Sequence, residues 1–146
     1  MESKTRRHFL GYLAGSVGTL AASSLFWMRR DDATRGPYRI VDRRSLPIGG
    51  LGLFVSVDKD LATGSLKAMG EKLSHEFRKQ PNMVVNIFDD ADAARIVKKG
   101  SRIVGEEQFK TAMDHQVASY IKDSRTGQHA LTLHGPPKEV LHYRDA

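Results

Sequence analysis

The strongest constraint on this chain is an uncharged run of 20 residues, from Phe9 to Met28. At the helical rise of about 1.5 Å per residue, such a run is long enough to span the roughly 30 Å hydrocarbon core of a membrane. It holds three glycines and four Ser or Thr residues, so it is only moderately apolar. A core helix of a globular domain normally keeps one polar side, and this run has none. Residues 1–28 are therefore predicted to be separate from the folded domain.

Two arginines stand directly before this run, in the stretch Thr5-Arg6-Arg7-His8-Phe9-Leu10. The stretch resembles the twin-arginine export signal, in which Ser/Thr-Arg-Arg and any one residue are followed by Phe-Leu and often Lys; Gly11 stands at the Lys position. The resemblance implies that Arg6, Arg7, Phe9 and Leu10 are read by a twin-arginine translocase, which would export the rest of the chain already folded. It covers only the leader and implies nothing about molecular activity.

Two fates are open for the leader after export. The best approximations to an Ala-x-Ala cleavage site are Ala21-Ala22-Ser23 and Ala22-Ser23-Ser24, and cutting there would leave the apolar residues 25–28 on a soluble N-terminus. Trp27 instead suits the outer interface of a retained membrane helix. We therefore expect residues 9–28 to anchor the domain on the periplasmic face of the inner membrane, with a free periplasmic domain as the alternative.

Composition limits what the exported part can be. Residues 29–37 are predicted to be a linker and residues 38–146 one small domain. The net charge of +6 divides into +2 from the leader and +4 from the remainder, where cations and carboxylates are interleaved. That pattern is typical of a solvated surface and disfavours nucleic acid as a partner. The absence of cysteine excludes disulfides, thiolate metal sites and iron-sulfur clusters, and no cofactor is predicted.

Hydrophobic periodicity predicts an α+β domain with a mostly antiparallel sheet and one main amphipathic helix on one face. The helix is expected over Gly64–Lys79 with Thr63 as its N-cap, and it carries Leu66, Met69, Leu73 and Phe77 at spacings of three and four. Period-two patterns and turn residues predict the strands. A short helix is expected through Ala94 to Val97, with Lys98 and Lys99 at its C-terminal end, and another over Glu106–Asp114. The predicted strands are Tyr38–Val41, Leu51–Val57, Met83–Phe88 (buried on both faces), Gln116–Lys122 and Gln128–His134. The last two are predicted to form a hairpin with a turn over Asp123–Gly127, which Gly135-Pro136-Pro137 ends.

The side chains most able to bind a metal are the carboxylates that follow the third strand and several histidines. Asp89, Asp90 and Asp92 could hold a hard cation, but capping of the next helix explains them with fewer assumptions. His115, His129 and His134 are weak candidates as well. His129 and His134 are five residues apart on one strand, an odd offset that predicts opposite faces. Scattered surface histidines are the favoured interpretation.

No local catalytic signature accompanies these residues. The chain has no Gly-x-Ser-x-Gly elbow, and Gly49-Gly50-Leu51-Gly52 lies between strands, unlike a phosphate-binding loop that opens a helix. The sequence therefore favours a non-catalytic envelope domain that binds a protein or a small ligand through a sheet edge or through the face opposite the main helix. The alternative is a metal-binding protein or metal-assisted enzyme that uses the Asp89–Asp92 cluster with histidines.

Replacing both Arg6 and Arg7 by Lys is expected to trap the protein in the cytoplasm, because the paired arginines are the defining element of the resembled signal. Fractionation of cells expressing the wild-type and the double variant measures this. Normal export of the double variant, together with a block in cells whose Sec channel is defective, would contradict the assignment.

Overall fold

Six strands and four helices make up the part of the chain that the computed structural model describes, residues 37–144. The predicted export signal, the predicted anchor and most of the predicted linker lie outside these described residues. The strands are β1 Tyr38–Ser45, β2 Leu51–Val57, β3 Asn82–Phe88, β4 Gln116–Asp123, β5 Gln128–Leu133 and β6 Glu139–His142. The helices are α1 Thr63–Glu76, α2 Ala91–Lys99, α3 Ser101–Val104 and α4 Glu106–Met113.

The strands lie in the sheet in chain order, from β1 at one edge to β6 at the other. Neighbouring strands pair antiparallel except β2 and β3, which are parallel. A parallel pair needs a long crossover, and α1 provides it. The predicted α+β class, with its mostly antiparallel sheet and one main helix on a face, is confirmed.

The main core lies between α1 and the sheet face that α1 covers, called the α1 face below. Leu66, Met69 and Leu73 of the helix are buried against the inward residues of β2 to β5. Gly70 allows the helix to approach closely, because a Cβ at that position would collide with Leu131 and with the hydroxyl of Tyr143. The inward residues of the strands include Leu53, Val55, Met83, Val85, Ile87, Tyr120 and Leu131.

A second, smaller core lies on the opposite face. Phe54 and Phe88 stack there with ring centroids 6.5 Å apart, and α2 and α4 cover them with Ala93, Ala94 and Ala112. A bulge between Ile40 and Asp42 breaks the β1–β2 register. Val41, the residue in the bulge, packs against this second core. Helix α2 contacts β1, β2 and β3 and packs against α3 and α4, so this group of short helices covers one half of the opposite face.

The main helix differs at both ends from the sequence prediction. Ala62 occupies the N-cap position without a side-chain cap, and Thr63 is already the first helical residue. The helix ends at Glu76, so Phe77 is a half-buried C-cap residue rather than part of the last turn. The buried Lys122 ammonium donates to the Arg78 carbonyl at 2.9 Å, which fixes the chain after the helix end. This long-range contact has no local sequence signal.

Two strands also correct the sequence prediction. Val84 and Asn86 of β3 are only half-buried, so the prediction that this strand is buried on both faces was wrong. The strand β6 is an addition to the predicted sheet, because the chain pairs again with β5 after Gly135-Pro136-Pro137. Glu139 of β6 is tied to Lys67 of α1 by an ion pair of 2.8 Å. The predicted hairpin of β4 and β5 is confirmed, with Asp123 Oδ1 accepting from the Arg125 N–H at 2.9 Å within the turn.

Leu73→Ala should cost roughly 2 to 5 kcal/mol of unfolding free energy, because the side chain is fully buried between α1 and the sheet. Denaturant unfolding of the variant measures the loss. Ile48→Ala is the matched control, since Ile48 is 60% exposed and its truncation should change stability by less than about 0.5 kcal/mol. Equal effects of the two substitutions would contradict the core assignment.

Candidate functional site

Two of the residues predicted as metal candidates come together at the end of β3. The Nδ1 of His115 lies 2.8 Å from Oδ1 of Asp89, and the Asp89 N–H donates to the His115 carbonyl at 3.0 Å. The pairing of β3 with β4 brings Asp89 and His115 together. Phe88 lies opposite Gln116, and Asp89 and His115 are the next residues beyond this pair. An imidazole held in this way by a carboxylate has its tautomer and orientation set.

Asp90 caps α2, as the favoured interpretation of the sequence predicted. Its Oδ1 accepts from the N–H groups of Asp92 at 2.7 Å and Ala93 at 2.8 Å, with the extended backbone of an N-cap residue. The hydrogen bond from the Ala93 N–H is the main cause that lowers the pKa of the Asp90 carboxyl. Asp92 pairs instead with Arg95, one turn further along the helix. The three aspartates therefore have three separate roles.

The other two histidines lie on opposite faces of the sheet, as their odd spacing predicted, and neither joins Asp89. His129 is buried on the α1 face, where its Nε2 lies 2.7 Å from the Tyr120 hydroxyl. The interpretation of His129 as a surface histidine was therefore wrong, because the ring is buried and its Nε2 has a phenol within the core as partner. His134 Nε2 lies 3.1 Å from Ser119 Oγ. Burial, and then the charge of Lys138, lower the pKa of the His134 imidazole.

No three His, Asp or Glu side chains within residues 37–144 form a group that could hold a metal ion. Asp89 and His115 make a pair, while Asp90 and Asp92 are occupied by the helix start. A protein metal site generally needs three or more ligands. The described residues thus offer at most two convergent ligands at the end of β3.

A cleft of about 430 Å³ lies beside this pair, and the sequence did not signal it. Leu66, Val117 and Leu133 are among its apolar residues. Most of its polar groups already have partners: Gln116 Nε2 donates to Asn86 Oδ1 at 3.0 Å, Glu139 pairs with Lys67, and His134 contacts Ser119. The full lining is Thr63, Leu66, Asp114, Gln116, Val117, Leu133, His134, Gly135, Pro136, Pro137 and Glu139.

On the half of the opposite face formed by β3 to β6, six residues form a different surface, called the open patch below, which leaves out the charged Asp123 at the end of β4. Strand registers place its members side by side, with Val84 opposite Ile121, Ser119 opposite both Asn86 and Thr132, and Thr132 opposite Val140. None of these six residues is charged. Five are half-buried, and Val140 is 46% exposed. Four of the six are β-branched, the type that packs well on a pleated surface.

The open patch follows from two features that sequence reasoning missed. The half-burial of β3 brings Val84 and Asn86 to the surface, and β6 adds Val140 at the sheet edge. The sequence did contain a signal for the half-burial of β3, because Asn86 is polar within the otherwise apolar run Met83–Phe88. The four strands span roughly 15 to 20 Å at a spacing of about 4.8 Å. The patch is therefore as broad as four neighbouring strands.

Comparison with protein-family models, with curated proteins and with solved structures finds no match for this chain. Within residues 37–144, no helix is both long and apolar enough to cross a bilayer. Function is therefore inferred from the residues and geometry given above.

Asp90→Ala should cost about 1 kcal/mol at pH 7, the usual loss for an N-cap carboxylate. Because folding lowers the pKa of Asp90, its contribution is present above the ordinary value of 3.8 and is lost as the pH falls through the folded pKa. The stability difference between wild type and variant should therefore shrink below about pH 4. Denaturant unfolding at several pH values measures it, with the exposed Asp60→Ala as control. A difference that does not change between pH 7 and pH 2 would contradict the role of the carboxylate.

Proposed function

We propose that this chain is a non-catalytic binding module of the cell envelope, exported by the twin-arginine translocase and held at the membrane by residues 9–28. Its contact surface is the open patch, and its partner is another envelope protein that presents an uncharged, apolar surface of similar breadth. The resemblance of Thr5–Leu10 to an export signal supports the location, and the open patch supports the binding role.

The observation that carries this proposal is the absence of charge from the open patch of a basic domain. Cations exceed carboxylates by four within residues 37–144, yet the six patch residues include no charged side chain. Burial of such a surface removes apolar area from water without stripping ions of their hydration. Charged residues are depleted from the centres of protein interfaces for the same reason.

The shape of the patch favours a protein over a small molecule. Small ligands bind in concave sites that enclose most of their surface. The concave feature described above, the cleft beside α1, has most of its polar groups already paired within the domain. A broad, uncharged sheet face suits the surface of another folded chain.

The alternative function is metal binding at the end of β3, which the 2.8 Å contact between Asp89 and His115 favours. It requires further ligands from outside the domain, because residues 37–144 bring no third His, Asp or Glu to that pair. Metal analysis of protein purified without chelator distinguishes the two functions. Stoichiometric metal that is lost in Asp89→Asn would support the alternative.

A photo-cross-linking residue at Thr132 is expected to yield one defined adduct with a different envelope protein in intact cells. Val140→Lys should reduce that adduct at least tenfold, because it buries an unpaired charge in the contact. Ile48→Lys is the matched control, since it adds the same charge at a similarly exposed isoleucine outside the patch and should leave the adduct unchanged. Mass spectrometry identifies the adduct, and thermal unfolding verifies that both variants fold.

Three results would overturn the proposed partner. An adduct between two copies of this chain would identify self-association instead. The absence of any adduct would show that the patch is bare in the cell. Equal loss of the adduct in Val140→Lys and Ile48→Lys would show that added charge, and not the patch, controls the contact.

A further inference from the structure

A single helical turn presents the most exposed large apolar side chain among residues 37–144. Ile103 is 75% exposed, and it lies on α3, which is only four residues long. The turn is held by backbone hydrogen bonds, including those from the N–H of Ile103 to the Gly100 carbonyl at 3.1 Å and from the N–H of Gly105 to the Ser101 carbonyl at 2.9 Å. Ile103 is thus placed in solvent on an ordered element.

Two glycines of nearly identical backbone conformation bracket this turn. Gly100 has φ 86° and ψ 153°, and Gly105 has φ 91° and ψ 151°. This region of backbone space is accessible essentially to glycine alone. A Cβ at either position would meet open space, so glycine is required there by the backbone conformation and not by close packing. They lead the chain out of α2, through the exposed turn and into α4.

The surroundings of Ile103 are basic. Lys98 and Lys99 end α2, and Arg102 precedes Ile103. Lys98 is paired with Asp42 at 3.0 Å, whereas Lys99 and Arg102 are exposed and have no ion-pair partner among residues 37–144. Glu106 and Glu107 follow Gly105 and partly offset these cations. From residue 95 to residue 110 there are five cations and two carboxylates, an excess of three positive charges.

An exposed aliphatic side chain that follows two exposed cations, neither with an ion-pair partner among residues 37–144, has the chemistry of a contact with an anionic lipid surface. The aliphatic group enters the boundary between headgroups and acyl chains, while Lys and Arg remain at the phosphates. Each basic residue near such a surface contributes about fivefold in affinity, so Lys99 and Arg102 together contribute on the order of 25-fold. That is too little to hold a free domain on a membrane. It is enough to orient a domain that a tether already keeps there, because the second contact is then intramolecular.

We infer that the α3 turn, through Ile103, Lys99 and Arg102, docks on the anionic lipid bilayer to which the chain is tethered. This inference rests on the membrane anchorage contained in the proposed function. Docking orients the domain on the membrane through a surface that does not include the open patch. The contact is electrostatic and shallow, and it is therefore sensitive to salt.

The full-length chain offers a direct test, because Trp27 is its only tryptophan. In a Trp27→Phe background, Ile103→Trp places the reporter on the turn, and Ile48→Trp is the matched control at another isoleucine that is 60% exposed. Each protein is reconstituted into vesicles of phosphatidylglycerol and phosphatidylcholine with brominated acyl chains. Flotation of the vesicles measures anchorage, and quenching of tryptophan emission measures docking.

Quenching of at least twofold is expected for Ile103→Trp and little for Ile48→Trp. The quenching should be lost in vesicles of phosphatidylcholine alone, in about 0.5 M salt, and when Lys99→Glu and Arg102→Glu are added. Far-ultraviolet circular dichroism verifies that each variant is folded.

Three results would overturn docking. If the emission of Ile103→Trp remains as in water on vesicles that carry the protein, the turn does not contact the lipid, although the protein is anchored. Equal quenching of both reporters shows no preferred surface. Quenching that is unaffected by lipid charge shows that Lys99 and Arg102 play no part. Failure of the protein to float with the vesicles is a separate outcome, which overturns the anchorage in the proposed function and, with it, the docking that needs the tether.

Discussion

The parallel pairing of β2 and β3 is the constraint on which the rest of this domain depends. Two parallel neighbours cannot be joined by a tight turn, so the chain between them must cross one face of the sheet. The α1 helix makes this crossing and buries Leu66, Met69 and Leu73 against the strands. With that face covered, the three short helices after β3 lie on the other face. They cover only the half that carries Phe54 and Phe88, and no helix within residues 37–144 covers β4 to β6 there.

The position of each carboxylate after β3 decides which group it binds. Asp89, Asp90 and Asp92 are adjacent in sequence, yet the transition from strand to helix directs them to different partners. Asp90 accepts the first amides of α2, Asp92 pairs with Arg95 along the helix, and Asp89 turns toward His115 of the neighbouring strand connection. A cluster that could have bound a cation is thereby divided, and residues 37–144 bring no third metal ligand to Asp89 and His115.

Charge is distributed unevenly over the domain, and the two proposed contacts differ accordingly. The open patch has no charged residue and is broad, which suits a protein surface whose burial depends on apolar area. The α3 turn carries one exposed isoleucine next to the exposed cations Lys99 and Arg102, which suits an anionic surface that needs little buried area. A domain tethered by residues 9–28 could use both contacts at once, because one orients it on the lipid and the other meets a neighbour.

The sequence by itself determined the features whose physical cause is local. Four such features depend on neighbours within a few residues. They are the alternation of Leu53, Val55 and Val57, the spacing of Leu66, Met69 and Leu73, the capping by Asp90 and the hairpin turn at Asp123. Only the tertiary structure decided what depends on partners distant in the chain. Five features depend on such distant partners: the bulge at Val41, the end of α1 near Lys122, the burial of His129 against Tyr120, the addition of β6 and the half-exposure of β3. The open patch belongs to the same group, because whether one face of a strand is covered depends on which other elements have enough length to reach it.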